Sequence, residues 1–220
     1  MTYDTGRQRV VLFGGQSFGS GSGYLGDTWE RIGSEWTQVA DIGPVPRSFP
    51  ALAYDAVRRR VVLFGGDAGA LPFRSDTWEW DGTEWTQSAD TGPARARHAM
   101  VFDSARGRLV LFGGQQVGGW ANDTWESGET GWVNRQDIGP GPFPAMVYAG
   151  SRTVLFAVNQ TWEWSGQLWT QRQNMGPQGR TLHAMAYDLA RERVVLFGGT
   201  SSANIQLGDT WELTIISAPS

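Results

Sequence analysis

The chain has 220 residues, 40% of them apolar, with 30 glycines and 12 tryptophans, which bounds it to one sizeable globule or two small ones, rich in turns. A net charge of −4 argues against the clustered basic face of a nucleic-acid binder, and all 18 basic residues are arginine. No cysteine is present, which excludes disulfides, thiolate metal sites and cysteine nucleophiles, and no apolar run approaches the roughly 18 residues of a membrane span.

Along the chain, Thr2-Tyr3-Asp4 matches Ala53-Tyr54-Asp55 and reads as the end of a first strand. RQRVVLFGG from Arg7 is a second strand, DTWE around Trp29 a third, and EWTQ ending at Gln38 a fourth. A Gly43-Pro44 link then carries the chain into another such set, which again runs through RVVLFGG, DTWEW, a tight Asp81-Gly82 turn and EWTQ. That turn between tryptophan-rich strands is a strong hairpin signal. Further copies follow at GRLVLFGG (from Gly107), SRTVLFAVN (from Ser151) and RERVVLFGG (from Arg191). The phenylalanine before the double glycine recurs as Phe13, Phe64, Phe112, Phe156 and Phe197, at intervals of 51, 48, 44 and 41. Such periods mean a solenoid, a propeller or an array. The units fall near 1–40, 41–90, 91–136, 137–173 and 174–220, within one domain. The VVLF runs are apolar at consecutive positions, so both faces of that strand are expected to be buried, as between radially arranged sheets.

VLFGG, two tryptophans seven positions apart (Trp29 and Trp36, Trp78 and Trp85), a Gly-Pro turn and a strand led by Arg47, Arg95 or Arg180 together resemble the kelch repeat. The resemblance covers essentially the whole chain. It implies an all-β, kelch-type β-propeller of five four-stranded antiparallel blades, with the first strand lining a central channel and the fourth outermost. The first and last blades are expected to be incomplete. From Trp29 to Tyr54 there are 24 intervening residues, but only 11 are available around the seam from Trp211 back to Tyr3. A fragment of a longer propeller, imperfect closure, and strands supplied by another chain all stay open, the last predicting a homo-oligomer.

Chemistry is sparse. His98 and His183 share one repeat position, held elsewhere by Pro50 and Pro144, which favours a packing role over a metal pair. Asp27, Asp76, Asp123 and Asp209 precede Thr-Trp, with Gln160 in the fourth copy, and read as turn-bonding acids. Glu30, Glu79, Glu126, Glu163 and Glu212 recur in every copy, and Glu129 stands outside the pattern. Among the kelch enzymes, a galactose-oxidase-like copper site needs a cysteine. The E-x-x-x-D-x-x-x-H iron pattern of specifier proteins, HExxH and phosphate-binding glycine loops are absent. A sialate-mutarotase-like activity leaves no motif to locate. No catalysis, cofactor or metal is expected.

A surface remains. The resemblance places the loops joining second to third strands (16–26, 67–75, 115–122 and 200–208) on one face with the Gly-Pro links. The fourth unit breaks the pattern, with only five positions from Ala157 to Trp162, and should leave a notch there. Loops on a rigid scaffold carry binding, and aromatic and arginine residues dominate hot spots. The candidate ligand-binding residues are Trp120, Phe73 and Arg74, then Tyr24, Phe18, Arg47, Arg95 and Arg180; alternatively, each lead arginine ties its own link to the next blade. The expectation is a binding or assembly module for a protein or peptide segment, an acidic one suiting the arginines, with neither nucleic acid nor membrane as partner. Two alternatives stay open: a carbohydrate-active propeller enzyme, and a fragment or engineered array without an evolved ligand. The sequence shows no signal peptide, so the cytoplasm is the default compartment.

Overall fold

The computed structural model describes residues 1–19, 23–128, 131–173 and 176–214. Among the described residues, twenty strands form five antiparallel sheets, the blades of a β-propeller. There is no helix among the described residues, hence none long and apolar enough to cross a membrane. The first blade holds β1 (Thr2–Asp4), β2 (Arg9–Ser17), β3 (Gly23–Ile32) and β4 (Glu35–Ala40). The second holds β5 (Ala51–Asp55), β6 (Arg60–Gly66), β7 (Arg74–Trp80) and β8 (Trp85–Ala89). The third holds β9 (Ala99–Asp103), β10 (Arg108–Gln116), β11 (Gly119–Gly128) and β12 (Gly131–Gln136). The fourth holds β13 (Ala145–Ala149), β14 (Arg152–Ala157), β15 (Gln160–Trp164) and β16 (Trp169–Gln173). The fifth holds β17 (Arg180–Thr181), β18 (Ala184–Asp188), β19 (Arg193–Ser201) and β20 (Gln206–Thr214).

β1 packs on β5, β5 on β9, β9 on β13 and β13 on β18, so the first long strand of each blade lines the axis. In the fifth blade β17 and β18 lie end to end along one edge of β19, with β20 on the other. The final TIISAPS segment, which has no tryptophan for a fourth strand, lies outside the described residues from 215 onward, as does Glu129. The first blade has all four strands, its inner one shortened to three residues.

The double glycine has a specific cause. In four blades the register of the second and third strands shifts between the phenylalanine and the second glycine. The first glycine there sits at φ +61 to +66 (Gly14, Gly65, Gly113, Gly198), the geometry of a bulge that needs left-handed glycine. Beyond the bulge the two strands resume pairing, so most of 16–26, 115–122 and 200–208, expected as loops, are extended hairpins. The fourth blade lacks both glycines, keeps its register and closes with a two-residue turn at Val158-Asn159.

Because each sheet is sandwiched between neighbours, its second strand is buried on both sides. Val61 joins Val11 and Phe13 of the first blade, whereas Val62 joins Leu109 and Leu111 of the third. Away from the axis the gap widens and aromatic pairs fill it. Phe13 meets Trp85 of the next blade, Phe64 meets Trp132, and Phe112 meets Trp169, with ring centroids 5.5, 4.8 and 5.4 Å apart. Each pair adds about 0.5–1.5 kcal/mol beyond its burial. The same tryptophans donate Nε1–H to a threonine of the preceding blade: Trp85 to Thr28, Trp132 to Thr77 and Trp169 to Thr124. At the two ends of the series these partners part company. Phe197 is 55% exposed and Trp36 is 42% exposed.

Candidate functional site

The link before each inner strand determines what the loop face presents. Ser48 pairs with Asp67 and Ala96 with Gln115, which sets the links beside the extended hairpins on one face. The link also stitches blades together: Arg47 N–H donates to the Leu25 carbonyl at 3.0 Å and the Arg47 carbonyl accepts from Gly15 N–H at 2.9 Å. Arg95 repeats the arrangement with Arg74 and Gly66, and Arg180 N–H donates to the Val158 carbonyl.

The structure places the Arg47, Arg95 and Arg180 side chains inside the protein. Each donates bidentately to an aspartate of its own blade: Arg47 to Asp76, Arg95 to Asp123 and Arg180 to Asp209. Each also donates from Nη1 to the carbonyl of the left-handed glycine (Gly65, Gly113, Gly198). The same aspartates accept from the indoles of Trp78, Trp125 and Trp211. Burial raises the Asp76 and Asp123 carboxyls, but the arginine and tryptophan donors and the arginine charge outweigh it and hold both below the ordinary carboxylate range. Asp209 is lowered by Arg180 first and by Trp211 second. A ligand carboxylate would have to displace these aspartates, so the three arginines order the face from within.

The fourth blade shows the same unit removed as a whole. It has Gly141 where the arginine stands, Gln160 where the aspartate stands, and no bulge. The Trp162 indole nitrogen, deprived of its aspartate, is buried with no hydrogen-bond partner among the described residues. The chain crosses this position with Val158 at φ +60, in the shallow stretch expected as a notch.

Two residues before each of β5, β9, β13 and β18 stand Phe49, Arg97, Phe143 and Leu182, all with φ between +54 and +61. Left-handed backbone is uncommon for such side chains, and its recurrence in one slot is imposed by the link. Because the inner strands line the axis, this slot surrounds the link end of the axis, the mouth of the propeller, in four of the five blades. The Arg97 guanidinium lies 3.6 Å from the Phe49 ring centroid, and the Trp120 and Phe143 rings are 4.2 Å apart. Arg97 is exposed, and among the described residues no carboxylate pairs with it. A guanidinium stacked through its face keeps its N–H edge for a carboxylate, and the aromatic pair beside it offers an apolar platform.

Trp120 therefore belongs to the mouth. Arg74 is exposed on the same face, at the start of β7, and Phe73 is half-buried beside it. Tyr24 braces the neighbouring loop, its ring against Gly69 and its hydroxyl pushed up by burial and by Asp67. Phe18 is exposed near the end of the first hairpin, whose residues 20–22 lie outside the described set. His98 and His183 pack edge-on against Phe64 and Phe156 of the preceding blades. Burial, with Arg95 behind it, lowers His98 to about 3, and burial lowers His183 to about 4. Among the described residues no group of three or more histidines and acids is placed to hold a metal.

No known family profile matches this chain, and no curated protein matches it in sequence. A solved structure, that of YjhT, is similar in fold, with a TM-score of 0.78 covering 97% of this chain and 80% of that one. At 12% identity this likeness speaks for the propeller alone.

Proposed function

We propose that this propeller is a kelch-type binding module that recognises a protein or peptide segment at the mouth of its channel, with no catalysis of its own. One observation carries the reading: Arg97 stacks on Phe49 and Trp120 on Phe143, with Phe49, Arg97 and Phe143 holding one slot of successive blades on left-handed backbone. Pre-organised aromatic and arginine groups on rigid elements lose little entropy on binding. Arg97 and Arg74 together suit an acidic residue, and the Trp120–Phe143 platform suits an apolar or aromatic neighbour two or three residues away. A displayed peptide library selected on the intact protein tests this. Enrichment of acidic-aromatic peptides, lost in Trp120→Ala at unchanged melting temperature, is the expected result. Selection that yields no consensus counts against the reading.

A further inference from the structure

Successive blades meet through a repeated arrangement in which a glutamate of one receives the indole of the next. Glu30 Oε1 accepts from Trp80 Nε1 at 3.1 Å and from Arg7 Nη1 at 2.6 Å. Glu126 Oε1 accepts from Trp164 Nε1 at 2.9 Å and from Arg106 Nη1. In both interfaces that indole also lies on the next tryptophan of its own blade, Trp80 on Trp85 and Trp164 on Trp169, at 5.5 and 5.2 Å.

Between the second and third blades the same machinery is built without the indole. Glu79 Oε1 accepts from Arg58 Nη1 at 2.6 Å, matching Arg7 and Arg106. The residue in the Trp80 and Trp164 slot of the third blade is Ser127, whose hydroxyl accepts from Leu109 N–H at 2.8 Å. A cleft of about 720 Å³ opens there, lined among others by Thr77, Glu79, Phe102, Leu109, Ser127 and Trp132. The Glu79 side chain is 19% exposed, against 4% for Glu30 and 2% for Glu126. Trp132 loosens with it: its bond to Thr77 is 3.4 Å, whereas the matching bonds of Trp85 and Trp169 are 2.8 Å.

We propose that this cleft binds an indole ring, or another planar heteroaromatic group bearing an N–H, in the position that Trp80 and Trp164 hold in the neighbouring interfaces. The ring stacks on Trp132 against Phe102 and Leu109, and its N–H donates to the Oε1 of Glu79 on the side away from Arg58. A charged acceptor makes that bond a strong determinant of which rings enter. The group can come from a free small molecule or from a tryptophan of a partner chain. The site is separate from the channel mouth and does not depend on the reading of that face.

Ligand-observed NMR or calorimetry with indole, 1-methylindole and the peptide Gly-Gly-Trp-Gly-Gly tests the proposal on the intact protein. Indole is expected to bind, and 1-methylindole, which lacks the N–H, to bind roughly tenfold more weakly. Ser127→Trp fills the cleft from within, so it should abolish indole binding and raise the melting temperature. Glu79→Ala serves as the second variant and should erase the preference for indole over 1-methylindole. Peptide binding tighter than free indole assigns the site to a partner's tryptophan, and the reverse order assigns it to a small molecule. Failure of indole and of the peptide to bind the wild type, or equal indole binding by wild type and a folded Ser127→Trp, overturns the proposal.

Discussion

Arg95 and Asp123 meet inside the third blade through parallel hydrogen bonds of 2.7 and 2.9 Å, and the arginine reaches on to the carbonyl of Gly113. One ion pair thus fixes the link, the bulge and the Trp125 indole together. Removing the arginine leaves the half-buried Asp123 carboxylate without its counter-charge, held only by the Trp125 indole, so Arg95→Ala should lower unfolding stability by about 3 kcal/mol. Arg95→Gly combined with Asp123→Gln, the residues the fourth blade uses, should cost less than the sum of the single changes, with a coupling of about 1–3 kcal/mol. Urea unfolding of the four proteins at unchanged slope measures this, and strict additivity contradicts it.

Acid should weaken the fold in a window belonging to the two histidines. His98 and His183 are held near 3 and 4 by burial in the folded chain, against about 6.5 when unfolded. Between those values the unfolded state binds more protons, so stability is full above about pH 6.5 and falls as pH drops towards 4. The slope approaches about 1.4 kcal/mol per pH unit for each histidine. Asp76 and Asp123, lowered in the fold, lose their contribution only below the ordinary carboxylate value and leave the upper window clear. Stability measured from pH 4.5 to 7 should show about half this slope in His98→Gln.

Val158 adopts φ +60 with a β-branched side chain in the turn of the fourth blade. Left-handed backbone costs such a residue about 1–2 kcal/mol. Val158→Asn should therefore raise the unfolding free energy by about 1 kcal/mol, read as a higher urea midpoint. An unchanged or lower midpoint would show that the side chain earns its place by packing.

The exposed ends carry surfaces that correspond to the two sides of the interfaces between successive blades. Phe197, Thr210 and Glu212 of the fifth blade correspond to Phe13, Thr28 and Glu30, and all three are exposed. Trp36 and Arg31 of the first blade, also exposed, correspond to the Trp85 and Trp80 that receive those groups in the second. If the two ends met as successive blades do, Arg31 would stand in the slot of Trp80 and so face Glu212, the counterpart of Glu30. This supports self-association, with sedimentation velocity showing concentration-dependent growth that Phe197→Glu or Trp36→Glu suppresses. A monomer at every concentration argues the other way.

The five blades were legible because a Phe-led strand end and a Trp-bearing strand recur once in each unit, whereas the inner position of the first strand was an expectation drawn from the resemblance to the kelch repeat. Function was harder to read. Arg47, Arg95 and Arg180 looked available for a ligand carboxylate, yet each already holds Asp76, Asp123 or Asp209. The joint replacement by Gly141 and Gln160 in one repeat was the clue to that pairing. Phe49, Arg97, Phe143 and Leu182 carried no such mark, since a positive φ is invisible in a residue that is not glycine. Ser127 hid for another reason: its slot also holds Arg31 and Leu213, so tryptophan there is not a rule of the repeat.

The most direct test of recognition at the channel mouth is the affinity of one library-selected acidic-aromatic peptide for four proteins: wild type, Trp120→Ala, Arg97→Ala and the control Arg172→Ala, on the outer strand β16, where the arginine pairs with Glu163. Hot-spot truncations cost about 2 kcal/mol or more, so Trp120→Ala and Arg97→Ala should each weaken binding by roughly 30-fold while Arg172→Ala leaves it unchanged. Equal affinity in all four proteins, or a loss confined to Arg172→Ala, would contradict recognition at this face.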